Sequence, residues 1–148
     1  MPHYIGQVSE HAVIFNGNGD ILILRHRGHH HPELRGKAHL PGGRLEIADM
    51  PGRALLREIE EETGITGVNL ILPCSARRWG AVEPIKYSVA YLATVAGCPV
   101  AVLPPDEDHE SAEWIAPDAA LAAEYIFDEI RFVVADVVKW AKTLGVVK

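Results

Sequence analysis

The stretch from Gly43 to Ile65 constrains the fold more than any other part of the chain. Pro51 stands where a first helical turn tolerates it, Asp49 is placed to cap from just before, and Gly64 follows Glu62 closely enough to end the segment. A helix of about three turns fits between these marks. Leu55 and Leu56 precede Ile59 by four and three residues, so the spacing predicts one apolar stripe that has to be buried. The other faces are charged. Glu58, Glu61 and Glu62 lie three and four positions apart, on one side of the helix, where like charges repel.

The rest of the chain supplies a sheet for that stripe. Val8 to Phe15 and Ile21 to Leu24 flank Asn16-Gly17-Asn18-Gly19-Asp20, the turn chemistry of a β-hairpin. Arg25 to Lys37 is polar and rich in His and Gly, as a surface loop is, and Leu40-Pro41-Gly42-Gly43 ends a short strand in a tight bend. Val68 to Leu72 and Ile85 to Val95 are predicted strands, the second alternating Tyr87, Val89 and Tyr91 with Ser88, Ala90 and Leu92. After a stretch rich in Pro and acid from Pro99 to Glu110, Ile126, Ile130, Val133, Val137 and Trp140 repeat at helical spacing and predict a final amphipathic helix. This order of elements fits a mixed sheet covered on both sides.

At 148 residues, 48% hydrophobic and 23% charged, residues 1–148 are expected to form one domain. A net charge of −6 disfavours nucleic acid and anionic membranes as partners. The apolar runs fall far short of a membrane span, and Met1-Pro2-His3-Tyr4 lacks the pattern of a secretory signal, so a cytoplasmic protein is expected. Cys74 and Cys98 lack the close pairing of a zinc or redox motif and are expected to be reduced, packed thiols.

Taken alone, three glutamates are adequately explained as a solvated acidic face. Hard divalent cations offer a second explanation, because Mg²⁺ and Mn²⁺ prefer carboxylate oxygen and keep coordination positions for water and phosphate. The larger pattern decides between the two. Gly43, five residues, Asp49, seven residues, Arg57-Glu58-Ile59, one residue, Glu61-Glu62, one residue and Gly64-Ile65 resembles the Nudix box, G-x5-E-x7-R-E-U-x-E-E-x-G-U with U a bulky aliphatic residue. Only the first Glu is changed, to Asp49, and the Leu40-Pro41-Gly42 lead-in also matches.

That resemblance implies an α/β fold of the Nudix kind, an α/β/α sandwich with a mixed β-sheet. It implies a divalent-metal-dependent hydrolase that cuts a phosphoanhydride bond in a nucleoside diphosphate linked to another moiety. Carried over residue by residue, Glu58, Glu61 and Glu62 are the expected ligands of Mg²⁺ or Mn²⁺, with the Gly42 carbonyl as a further ligand and Arg57 orienting the carboxylates. The i,i+4 spacing of Arg57 and Glu61 agrees with that role. Asp49 is one methylene shorter than the family's Glu and is taken as a structural helper. Ala38 stands where the family often has Trp, and Ala48 where Gly is frequent.

The general base is expected to be a box glutamate such as Glu58 or a downstream carboxylate in the run Asp106 to Glu110, with Glu110 preferred for its place shortly before Trp114 and Glu107 second. Arg25, Arg27, Arg35 and Lys37 are candidates for substrate phosphates, and Trp79, Tyr87 and Tyr125 for stacking on a base, with Arg77-Arg78 beside the first. His29-His30-His31, with nearby His26, lacks zinc-site spacing and is given no specific metal role. The expected substrate is a small-molecule nucleotide, first a nucleoside triphosphate cut as by a pyrophosphatase, then a nucleotide sugar or dinucleotide. A nucleotide-sensing module without catalysis and a purely structural interaction protein are the rivals from other classes. A homodimer is compatible with the family.

Overall fold

The computed structural model describes residues 6–29, 31–79, 85–105 and 108–148, with Trp79 by its backbone alone. Its strands are β1 (Gln7–Phe15), β2 (Ile21–His26), β3 (Ala38–His39), β4 (Gly42–Arg44), β5 (Asn69–Trp79), β6 (Lys86–Thr94) and β7 (His109–Ile115). The helices are α1 (Arg53–Thr63), α2 (Pro117–Ala122) and α3 (Asp128–Thr143), with a short 3-10 turn at Pro32–Leu34.

The hairpin forms as expected. Asn16 Oδ1 accepts the Asn18 and Asp20 amides at 2.9 and 3.0 Å and fixes the turn, so Phe15 faces Ile21. The sheet runs β3-β2-β1-β6-β5, with β4 added on β1 and β7 on β2. Among the described residues, β1 and β6 are the one parallel pair, from Gln7↔Lys86 to Phe15↔Thr94. Near the turn β1 pairs with β2, but farther along it takes β4, from Ser9↔Arg44 to His11↔Gly42, while β2 takes β3 and β7. The first two strands therefore diverge toward the box end of the sheet.

Residues 12–15 of β1 are fully buried because the strand is covered on both faces, which explains their unbroken apolar run. Val13, Phe15, Ile21, Ile23, Ala90 and Leu92 pack under Val133, Val134 and Val137 of α3. On the other face Ala12, Ile14 and Leu22 pack with Leu55 and Ile59 of α1. The result is the mixed-sheet α/β/α sandwich. No helix among the described residues is long and apolar enough to cross a membrane.

Several local expectations are corrected. In α1 the buried face is Ala54, Leu55, Ile59, Glu62 and Thr63, and Leu56, about a hundred degrees round from Leu55, is exposed. In α3 the stripe continues to Ala141, and Trp140 faces outward for the same reason. The helix α1 starts at Arg53, after Pro51, with Gly52 as its cap residue and no local side-chain cap from Asp49. The fourth strand runs to Trp79 as β5, well beyond Leu72, and Glu110 lies within β7, not in a loop. Cys74 packs against the core, whereas Cys98 is exposed and accepts a bond from Asn16 Nδ2 at 3.3 Å.

Candidate active site

The bend at Gly42–Gly43 and the inner face of α1 meet over β1. Gly42 has φ +144°, and a Cβ there would collide with the Glu10 carbonyl oxygen, so only glycine lets β4 lie this close to β1. At Gly43 a Cβ would stand 3.3 Å from Glu58 Cδ and Oε2, so the missing side chain leaves a cradle for that carboxylate. Glu62 is 5% exposed, and its Oε1 accepts the Gly42 amide at 3.3 Å. Two of the three box carboxylates thus reach the same bend. Glu61, one residue before Glu62, points to solvent.

Arg57 braces this face from outside. Its two terminal nitrogens donate to Asp49 Oδ1 at 3.1 and 3.2 Å, and the guanidinium reaches Glu58 and Glu61 at 3.9 and 3.8 Å. Asp49 Oδ2 also accepts the Glu46 amide at 2.7 Å. That amide first, and Arg57 second, hold the Asp49 carboxyl below the usual carboxylate range. The shorter acid therefore ties the box loop to the helix, the geometry of a positioning residue.

Sequence reasoning missed Glu10. This carboxylate, 2% exposed on β1, accepts the Gly52 amide at 3.1 and 3.2 Å and so supplies from a distant strand the cap that α1 lacks locally. Tyr91 leans on it; burial first, then Glu10, pushes that phenol up to about 12. A glycine at the cap position was the one available signal.

The larger omission is a cluster of four histidines. His11 on β1, His26 on β2, His39 on β3 and His109 on β7 line the gap where β1 and β2 diverge. His39 stands 5.3 Å from His11, 4.9 Å from His26 and 5.5 Å from His109 between ring centroids, and His26 and His109 are 5.4 Å apart. Burial lowers all four, His11 and His109 to about 4 and His39 well below its ordinary value with help from its three neighbours. For His26, Asp108 opposes the effect. All four imidazoles are therefore neutral at pH 7.

Among the described residues, the ligand atoms that converge within 4.8 Å of one another belong to His39, Glu62 and His109. The glutamate trio is spread more widely than its helical spacing suggested, because Glu62 points inward and Glu61 outward. His109 Nδ1 lies 3.9 Å from Glu62 Oε2. Glu110, next along the strand, is exposed, and alternation turns it away from the side His109 takes. His26 separates from its exposed neighbours His29 and His31, and His30, Asp106 and Glu107 lie outside the described residues.

The substrate candidates divide. Arg25 donates from Nε to the Gly36 carbonyl at 2.9 Å and lies 4.1 Å over the Tyr125 ring, and Arg27 reaches the His109 carbonyl at 3.4 Å, so both bonds tie down the polar loop. Lys37 Nζ stands 5.6 Å from the Phe127 ring centre. Tyr87 is exposed and borders a cavity of about 400 Å³ together with Leu34, Phe127, His11, His26 and His39. The side chain of Trp79 lies outside the described residues.

A family profile for the NUDIX domain matches residues 7–135, which carry the whole sheet and the box helix. The chain belongs to the NUDIX domain family. The 8-oxo-dGTP diphosphatase of Escherichia coli (strain K12) is 39% identical over 55 residues, 37% of this chain and 41% of that protein, so the match spans less than half of that relative. A MutT protein from Methanosarcina mazei Go1 superposes with TM-score 0.76 at 22% identity, covering 96% of this chain and 99% of the other. A C. elegans Ap4A hydrolase in a binary complex gives TM-score 0.75 at 17% identity, over 93% and 98%. At those identities the likeness is one of fold.

Nudix hydrolases act on pyrophosphate bonds and generally need a divalent metal. The Nudix box of this chain fits such an ion in its donor chemistry. The cradle at Gly43 receives the Glu58 carboxylate, Glu62 comes to the adjoining amide, and carboxylate oxygens suit a hard cation.

Proposed function

We propose that this Nudix domain is a nucleoside triphosphate pyrophosphatase. The observation that carries the proposal is the place of His39, which lines the 400 Å³ cavity and also converges on Glu62 of the box. A nucleobase held in that cavity would send its phosphates toward the Gly42–Gly43 bend. The volume suits one base, within the usual range for ligand pockets, and Tyr87 and Phe127 offer aromatic faces beside it.

In this assignment Glu58, Glu61, Glu62 and the Gly42 carbonyl hold the cation, Mg²⁺ or Mn²⁺. When bound, that ion supplies neutralisation of the diphosphate charge. Arg57, held by Asp49, keeps Glu58 and Glu61 in place. Glu58 takes the proton from the attacking water, since its carboxylate rests against the bend, whereas Glu110 is turned from the His109 side.

A mass-spectrometric panel of nucleoside triphosphates, nucleotide sugars and dinucleotide polyphosphates, incubated with Mg²⁺ or Mn²⁺, tests the substrate class. Release of pyrophosphate and a nucleoside monophosphate from triphosphates alone is expected. Preferential cleavage of a dinucleotide or nucleotide sugar would replace the triphosphate assignment. Binding of a nucleotide without turnover of any member would make the chain a sensor.

A further inference from the structure

We infer that His39, His109 and Glu62 form a binding site for a borderline transition-metal ion of the Zn²⁺ class, distinct in chemistry from the carboxylate site for hard cations and joined to it through Glu62. The three ligands come from β3, β7 and α1, and their donor atoms lie within 4.8 Å of one another. A tetrahedral ion with bonds of about 2.0–2.1 Å needs donors roughly 3.4 Å apart, so small side-chain rotations close the set. Two imidazoles and one carboxylate select a borderline ion over Mg²⁺, which prefers oxygen throughout and is reluctant to lose water. His26, with its ring 4.9 Å from that of His39 and 5.4 Å from that of His109, stands beside the set as the nearest further nitrogen donor.

A second observation points to a ligand. Among the described residues, Nδ1 of His39, of His26 and of His11 is sealed from solvent and has no hydrogen-bond partner. Each such orphan costs about 1–3 kcal/mol, so a purely structural cluster would be better built from apolar side chains. An ion bound to His39 satisfies one nitrogen directly and orders the rings around it.

The site is tested without substrate, so its failure and the failure of the pyrophosphatase assignment are separate events. Chelator-stripped full-length protein is titrated with Co²⁺ and followed by its visible ligand-field bands, with Zn²⁺ and then Mg²⁺ as competitors. One Co²⁺ per chain with the strong bands of low coordination is expected, displaced by Zn²⁺ and not by a large excess of Mg²⁺. His39→Gln and His109→Gln should each weaken binding by at least about tenfold, the scale on which ligand supports act. Replacing the exposed His29 and His31 together by Ala should leave it unchanged.

Because both histidine ligands are packed in the protein, the wild type carries an independent readout. On adding Zn²⁺, the imidazole NMR signals of His39 and His109 should shift while those of His29 and His31 stay. Co²⁺ binding that survives both Gln substitutions, that Mg²⁺ displaces as readily as Zn²⁺, or that moves only the exposed histidines would overturn the site, as would no binding at all.

Discussion

Lowering the pH from 7 to 5 should weaken the metal-free protein by about 2 kcal/mol through His11 alone. Burial takes this imidazole from 6.5 to about 4, against the opposing contact with the Leu40 backbone. The unfolded chain therefore protonates His11 below 6.5, whereas the folded protein does so only below about 4. Stability is intact above 6.5 and is lost as the pH falls from there through about 4. At about 1.4 kcal/mol per pH unit the whole interval is worth roughly 3.5 kcal/mol, of which about 2 has gone by pH 5. Urea unfolding in chelator across this range, for wild type and His11→Asn, reads the effect as a difference in slope. Wild type should lose about 2 kcal/mol more than the variant. Parallel pH profiles would show that His11 is not held neutral by burial.

Further perturbations address the box and the contacts that hold its helix. Gly43→Ala places a methyl group 3.3 Å from the Glu58 carboxylate and should cut kcat with Mg²⁺ at least about tenfold while leaving the melting temperature nearly unchanged. Glu10→Ala strips the Gly52 amide of its acceptor and should cost about 1–2 kcal/mol in urea unfolding, more than an exposed acid would. Ile59→Ala opens a cavity between α1 and the sheet at a fully buried position and should cost about 2–5 kcal/mol in the same assay.

What could be read from the sequence was local. The spacing of Leu55 and Ile59, the left-handed cap at Gly64 and the Asn16 turn each depend on neighbours within a few residues, and each appears in the structure. Leu56 and Trp140 show where periodicity fails: it places a stripe to within about one helical position, and packing against β1 or β6 chooses its edge. The Glu10 cap and the four-histidine cluster were illegible for a different reason. His11, His26, His39 and His109 come from four strands, and nothing in their spacing reveals that β1 and β2 diverge to bring them together. Their grouping is a property of strand register. The run His29 to His31, conspicuous in sequence, leaves both its described ends, His29 and His31, exposed.

In the proposed function the carboxylates at the Gly42–Gly43 bend do the chemistry. Turnover of the best triphosphate at saturating Mg²⁺, compared between wild type and Glu62→Gln, shows whether they do. Gln keeps the shape of the buried side chain and an oxygen for the Gly42 amide while removing the charge. A loss of kcat of at least about a hundredfold is expected, with the fold retained. A folded Glu62→Gln protein with wild-type turnover would exclude the Glu62 carboxylate from the reaction.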